Sequence, residues 1–149
     1  MNGVLHFEDF APGQIFALDG RYRVTAEEIV AFARDYDPQP HHLSHDAANQ
    51  TVLGGLAASG WHVCAIAMRL FVDGLLNRSA SAGGAGIEEC RWLAPVRPGD
   101  ELRAEIEILE TRLPKSRGDF GFVKMRWDIF NADRRVAIIT GLPMLKRRG

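Results

Sequence analysis

The chain has 149 residues, of which 46% are hydrophobic and 25% are charged, and its formal net charge at pH 7 is −1. These values are typical of one globular domain, which we assign to residues 1–149, and they exclude a mainly disordered chain. Because the 18 Lys and Arg residues are balanced by 19 Asp and Glu residues, we expect no nucleic-acid partner. The most apolar stretch, residues 52–72, contains His62 and Arg69, and no signal peptide is recognisable. We therefore expect a cytoplasmic protein without a membrane span.

The N-terminal part of the sequence predicts a strand followed by a helix. Residues 15–24 predict a strand that is interrupted near its centre. Thr25 is followed three residues later by Glu28, which is the pattern of a capping box, and apolar residues then recur at helical spacing. We expect this helix to end near Asp35, because two prolines follow.

The longest apolar stretch predicts a central helix over residues 61–77. Its residues are apolar on nearly every side, and a helix of that kind is normally buried. The glycine-rich residues 82–86 that follow are predicted to form a flexible connector.

The last part of the sequence changes to a period of two, which is typical of half-buried strands. Short connections between successive strands predict antiparallel pairing. A buried helix and a curled antiparallel sheet can cover each other's apolar faces. The sequence therefore predicts an α+β domain with the sheet wrapped around a long central helix, although other α+β layouts fit the pattern nearly as well. The expected strands are residues 87–93, 101–110, 120–130 and 135–145.

The segment from Asp37 to His42 contains residue types that carry out acid–base chemistry. On a continuous helix their side chains would point about 140° apart, but Pro38 and Pro40 favour an extended or turned backbone. In a turn, the carboxylate and the imidazole can reach one water molecule, and imidazole suits proton transfer at neutral pH. A solvated turn is the alternative, because Asp before Pro commonly opens turns.

The other histidines do not have the pattern of a metal site. His41 and His42 are adjacent, and neither these two nor His45 is accompanied by paired cysteines or a Glu-x-x-His motif. We therefore expect no metal. We interpret His62, in the first turn of the apolar helix, as a packed core residue rather than a substrate contact.

The pattern Asp37-x-Gln39-Pro40-x-His42 resembles the Asp-x-Asn-Pro-x-His motif of the MaoC-like dehydratases and R-specific enoyl-CoA hydratases. The resemblance extends over nearly the whole chain. It includes the family's N-terminal opening, its first helix, the loop entering its central helix and a strand with the following turn, at residues 7–13, 25–33, 53–60 and 91–100.

The chain departs from the family pattern at four positions. Gln39 replaces the usual Asn, and Ser44 replaces an acidic residue. Ser59 stands where many members have His, and Met68 stands where some members have Ser. These departures bear more on the substrate than on the class of reaction.

The resemblance implies a single hot-dog domain that works as a hydro-lyase, interconverting a trans-2-enoyl-CoA and its 3-hydroxyacyl-CoA by syn addition of water. Asp37 and His42 would hold and activate the water. The backbone N–H of Gly60, at the start of the central helix, would stabilise the negative charge on the thioester oxygen. The residues expected to contact the substrate are Gln39, Pro40, Ser59 and Trp61.

The resemblance also implies that the CoA thioester is the substrate and that no cofactor is required. It further implies a homodimer, or a larger assembly, with two sheets joined edge to edge. Two other functions are left open by the sequence: a hot-dog acyl-CoA thioesterase, and a non-catalytic subunit that binds acyl thioesters. The changes at Gln39 and Ser44 keep the last of these in consideration. The acyl group, and CoA against acyl carrier protein, also stay open.

Overall fold

The computed structural model describes residues 3–116 and 118–149. Within them, six strands form one antiparallel sheet in the order β1-β4-β5-β6-β3, with β2 also paired to β4. The strands are β1 (Ile15–Ala17), β2 (Tyr22–Arg23), β3 (Ser81–Trp92), β4 (Glu101–Arg112), β5 (Phe120–Asn131) and β6 (Arg134–Lys146). The α-helices are α1 (Ala26–Tyr36), α2 (His45–Ala48) and α3 (Gly60–Gly74).

Strands β4 and β5 confirm the period-two prediction over most of their length, whereas residues 136–141 of β6 are all buried and do not alternate. In β4 every second side chain faces the core, and each of these is at most 1% exposed. The alternating charged side chains lie on the outer face, where neighbouring strands pair them, as in the ion pair between Arg126 and Glu107. The buried members in β4 are Leu102, Ala104, Ile106 and Ile108.

The glycine-rich residues 82–86 belong to β3, so the prediction of a flexible connector is wrong. β3 pairs with β6 along its whole length, and its register shifts at three points between Ser81 and Glu89. Gly83 and Gly86 have φ values of 109° and 150°, which residues with a side chain rarely adopt. These glycines therefore allow bulges that bend an edge strand. The period-two pattern misses them because glycine has no side chain to alternate.

Helix α1 starts and ends close to the predicted positions. The Thr25 side chain accepts a hydrogen bond from the backbone N–H of Glu28 at 3.2 Å, which caps the helix. The other half of the predicted capping box has a different partner, because the Glu28 carboxylate accepts a hydrogen bond from the Tyr22 hydroxyl. Asp37 is the residue that caps the C-terminal end of the helix.

Helix α3 crosses the inner face of the sheet and forms the centre of the core. Its Phe71 ring packs against the Trp127 ring of β5 with centroids 4.5 Å apart. The prediction that the helix is buried on nearly every side is wrong, since Trp61 is 64% exposed and Met68 is 43% exposed. The helix also ends earlier than predicted, at Gly74, and a 3-10 turn follows it.

One antiparallel sheet wrapped around a long helix is the hot-dog arrangement, so the predicted fold is confirmed. Among the helices described, none has the length and apolar character needed to cross a membrane.

The difference in burial between two neighbouring strands predicts that the same substitution changes the free energy of unfolding by different amounts in each. Ile106 of β4 is 0% exposed, whereas Ile15 of β1 is 61% exposed. We expect Ile106→Ala to lower the free energy of unfolding by about 2–5 kcal/mol, and Ile15→Ala to change it by about 0.5 kcal/mol. Urea unfolding of both variants measures the difference. Equal losses would contradict this assignment of the core.

Candidate active site

Helix α1 and the turn after it bring the predicted acid–base pair together. The backbone N–H of Asp37 donates to the carbonyl of Ala33 at 2.8 Å, so the helix places this residue at its end. The chain then turns at Pro38, and a short 3-10 turn follows over Pro40–His42. As a result, Nε2 of His42 lies 3.3 Å from Oδ2 of Asp37.

The orientation of the His42 ring is set by a backbone carbonyl. The side chain is buried, and its Nδ1 lies 2.7 Å from the carbonyl oxygen of Ala57. A carbonyl only accepts hydrogen bonds, so Nδ1 carries the hydrogen, and neutral His42 presents the lone pair of Nε2. Nε2 and Oδ2 of Asp37 are then two adjacent acceptors. A water molecule that donates both of its hydrogens satisfies them together.

The surroundings of Asp37 favour its ionised form. Burial opposes the charge, but neighbouring groups outweigh that effect and hold the pKa of Asp37 below its ordinary value. The Ser59 hydroxyl lowers this pKa, as does the Gln39 amide, whose Nε2 donates to Oδ1 at 2.6 Å. The His42 and His41 rings contribute in the same direction when they carry a positive charge. The carboxylate is therefore held ready as an acceptor.

Gly60 lines the same cavity as His42. It is the first residue of α3, where an N–H group has no acceptor within the helix and the helix dipole favours negative charge. A Cβ atom on this residue would lie 2.4 Å from the Trp92 ring, so only glycine fits beneath that indole.

The cavity has a volume of about 280 Å³ and an apolar wall. Arg97 holds one side of it, since its guanidinium donates to the carbonyl of Leu56 at 3.4 Å and also to the carbonyl of Leu53. Apart from His42 and Gly60, the lining residues are Leu53, Ala57, Ala58, Val63, Trp92, Leu93, Ala94, Pro95 and Val96. His42 and Gly60 thus lie at an apolar pocket, where electrostatic interactions are stronger than in water. Asp37 does not line this pocket but contacts His42, which does.

None of the four predicted substrate-contact residues lines this cavity. Gln39 binds the Asp37 carboxylate, and Pro40 begins the 3-10 turn. Ser59 is buried next to Asp37, although its Oγ makes no hydrogen bond of good geometry to any residue that the structure describes. Trp61 is exposed, with its ring 5.7 Å from that of Trp92. Their contact with substrate stays a prediction.

Trp92 and the segment after it were missed as site residues. Sequence reasoning assigned Trp92 only to a strand, yet its indole covers Gly60 and lines the cavity. The contact joins β3 to the start of α3, which are far apart in the chain, so no local pattern indicates it. An aromatic residue at the end of an apolar strand was the one available signal.

His62 lies outside this cavity. It is 4% exposed, and its ring stacks on Phe32 of α1, which agrees with its interpretation as a packed residue. In the described part of the chain, no group of three or more His, Cys, Asp or Glu side chains has the geometry to hold a metal ion.

Comparisons with known proteins agree with this fold. A family model described as a MaoC like domain matches residues 9–120. A MaoC-like dehydratase from Rhodospirillum rubrum superposes with a TM-score of 0.89 and is 43% identical, covering 97% of this chain and 99% of that one. The uncharacterized protein YdeM of Bacillus subtilis (strain 168) is 26% identical over 92% of this chain and 94% of its own length. R-hydratase PhaJ1 from Pseudomonas aeruginosa has the same fold, with a TM-score of 0.75, 24% identity, and coverage of 97% and 88%.

The hot-dog fold, the acid–base pair and the N–H donor together define a class of proteins. The family match identifies the family within that class. The chain belongs to the MaoC-like dehydratase domain family.

The hydrogen bond from Gln39 predicts the direction of a pKa change. Gln39→Ala removes a donor that stabilises the ionised carboxylate, so the pKa of Asp37 should rise. Titration of the Asp37 side-chain carboxyl by NMR measures the change. Gln50→Ala, at an exposed position beyond α2, serves as the control. An unchanged Asp37 pKa in Gln39→Ala would show that the amide does not control this carboxylate.

Proposed function

We propose that the protein is a hydratase or dehydratase that interconverts a trans-2-enoyl-CoA and its 3-hydroxyacyl-CoA by syn addition of water. The observation that carries the proposal is the separation of 3.3 Å between Nε2 of His42 and Oδ2 of Asp37, with His42 lining a cavity that Gly60 also lines. This arrangement supplies the two functions that the reaction needs, which are proton transfer to and from one water and stabilisation of a developing oxyanion.

The two acceptors orient the attacking water. With Nδ1 of His42 donating to Ala57, Nε2 and the Asp37 carboxylate both accept hydrogens from the water, so its oxygen lone pairs point away from them. As the oxygen forms a bond with the β-carbon, the pair takes up one proton. The same pair then delivers a proton to the α-carbon. The hydroxyl group and the proton therefore arrive on one face, and the pair returns to its starting state.

Attack at the β-carbon moves negative charge onto the thioester oxygen. The N–H of Gly60 is preorganised to donate to this oxygen, because it lies at the positive end of the α3 dipole and has no partner in the helix. Removing one such donor costs about 3 kcal/mol in characterised enzymes. No step in this scheme requires a cofactor besides the thioester substrate.

Membership in the family supports this reaction class. The Rhodospirillum rubrum relative is named a MaoC-like dehydratase, and the fold is shared with a protein titled R-hydratase. The apolar lining of the cavity is also suited to an acyl chain.

Substitution of either member of the pair tests the proposal. In a spectrophotometric assay of crotonyl-CoA hydration, we expect Asp37→Ala and His42→Ala each to lose at least about a hundredfold in kcat, the size expected for general acid–base catalysis. Asp46→Ala and His45→Ala, at exposed positions of α2, are the matched controls and should keep wild-type activity.

The same assay distinguishes the alternatives. Release of free CoA thiol without hydration would indicate a thioesterase. Binding of enoyl-CoA without turnover of short, branched or dicarboxylic substrates would indicate a non-catalytic subunit. Either outcome would contradict the proposed hydration.

We further propose that two copies of the chain associate through β3. This strand lies at the end of the sheet order, so within the described residues one of its edges has no strand partner. Four exposed apolar side chains of α3 and β3 form what we call the apolar stripe: Trp61, Met68, Ile87 and Trp92. The rings of Trp61 and Trp92 are 5.7 Å apart, and Met68 and Ile87 line one cavity. Long open edges and contiguous apolar surface are typical of protein interfaces.

A charge placed in the apolar stripe tests this association. We expect sedimentation velocity to give twice the 16.5 kDa mass of the chain for the wild type. Met68→Glu would bury an unpaired carboxylate at the interface, so it should raise the dimer dissociation constant at least about a hundredfold. Val52→Glu, at a fully exposed position outside the stripe, is the control. A monomeric wild type, or an unaffected Met68→Glu dimer, would contradict the proposed interface.

A further inference from the structure

A second group of titratable side chains lies between α1 and α3, on the side away from the catalytic cavity. It borders a groove of about 410 Å³ that shares no lining residue with the cavity of His42 and Gly60. The proposed reaction uses none of these side chains. The central members are Tyr22 of β2, Glu28 of α1 and His62 of α3.

The three residues form a chain of contacts that joins three elements. The Tyr22 hydroxyl donates to Oε2 of Glu28, and this bond raises the pKa of Tyr22 to about 12, so the phenol stays a donor. Oε1 of Glu28 faces Nε2 of His62 at 3.9 Å. The His62 ring also stacks on Phe32, with centroids 4.7 Å apart and planes within 8° of parallel.

His62 is held between these groups as a buried, neutral ring. Burial lowers its pKa, against the opposing effect of the Glu28 carboxylate. The other titratable groups along the groove are Asp35 and Tyr36, at the end of α1, and Arg69, whose Nε donates to Asp73 at 2.6 Å. Within the described residues, Nδ1 of His62 and Oε1 of Glu28 are buried atoms without hydrogen-bond partners. The interaction between His62 and Glu28 is therefore poorly screened by water.

The cluster connects the two helices that carry the catalytic groups. Glu28 lies in the first turn of α1, and Asp37, whose position decides where the water is held, caps the C-terminal end of this helix. Helix α3 begins with Gly60, and His62 lies two residues further, in the same first turn. A displacement of the His62 ring relative to α1 therefore displaces the N–H of Gly60 relative to Asp37. A misplacement of about 1 Å can lower the rate of an enzyme by about a hundredfold.

We propose that His62 is a positioning residue, which uses its contacts with Glu28 and Phe32 to fix the first turn of α3 against α1 and so aligns the Gly60 N–H with the Asp37–His42 pair. This inference rests on the proposed hydration reaction. It assigns the buried imidazole a role in kcat rather than in substrate binding, because His62 does not line the catalytic cavity.

Two substitutions test the contribution of the His62 nitrogen separately from that of its aromatic ring. His62→Phe retains an aromatic ring for stacking on Phe32 but has no nitrogen facing Glu28. Glu28→Gln changes the same contact from the other helix and retains an acceptor for Tyr22. We expect each variant to lose about tenfold in kcat for crotonyl-CoA, with KM within about twofold of the wild type. The double variant should lose little more than either single variant, because the two residues act through one contact.

The controls distinguish positioning from folding. His45→Phe introduces the same ring at an exposed position of α2 and should leave kcat unchanged. Thermal unfolding of each variant shows whether a lower kcat reflects unfolded protein. If His62→Phe does not fold, Glu28→Gln provides the test by itself, because its side chain remains partly exposed.

Wild-type kcat in folded His62→Phe or Glu28→Gln would overturn the inference while leaving the proposed function intact. So would a loss confined to KM, or a loss of kcat that follows the fraction of unfolded protein. Absence of hydration by the wild type would instead contradict the proposed function, and the inference with it.

Discussion

The contact between Asp37 and His42 is the interaction on which the rest of the site depends. Two acceptors 3.3 Å apart are stable only when a proton or a water molecule binds to both of them. Several other groups of the chain hold the two side chains at this distance. Helix α1 fixes Asp37 at its end, and the carbonyl of Ala57 fixes the His42 ring. The two acceptors therefore need a hydrogen-bond donor, and the attacking water of the proposed reaction supplies it.

The apolar surroundings make this arrangement effective. The apolar wall of the cavity reduces screening, so His42 and Gly60, which line it, act on the substrate more strongly than they would in water. The Trp92 indole packs against Gly60 and also forms part of the wall of the cavity. The same indole belongs to the exposed apolar stripe, so the proposed association of two chains would seal the cavity from outside.

Sequence alone was sufficient for features that depend on neighbours in the chain. The prolines after α1 indicated a turn, and the turn accounts for the contact between Asp37 and His42. Period-two patterns located the strands, because the alternation of side chains along a strand is also a property of neighbouring residues. Features that depend on tertiary packing could not be predicted. The burial of Gly60 under Trp92 joins distant segments, and the bulged glycines of β3 have no side chains to signal a strand. The exposed stripe on α3 was assigned to the core, because an interface and a core have the same apolar composition.

The central claim is that one pair of side chains delivers both the hydroxyl group and the proton to the same face of the double bond. Hydration of crotonyl-CoA in deuterium oxide tests it directly, since the deuterium at the α-carbon and the hydroxyl at the β-carbon give distinguishable diastereomers by proton NMR. The account predicts the syn diastereomer as essentially the sole product. A product formed by anti addition, or a mixture of the two, would contradict it.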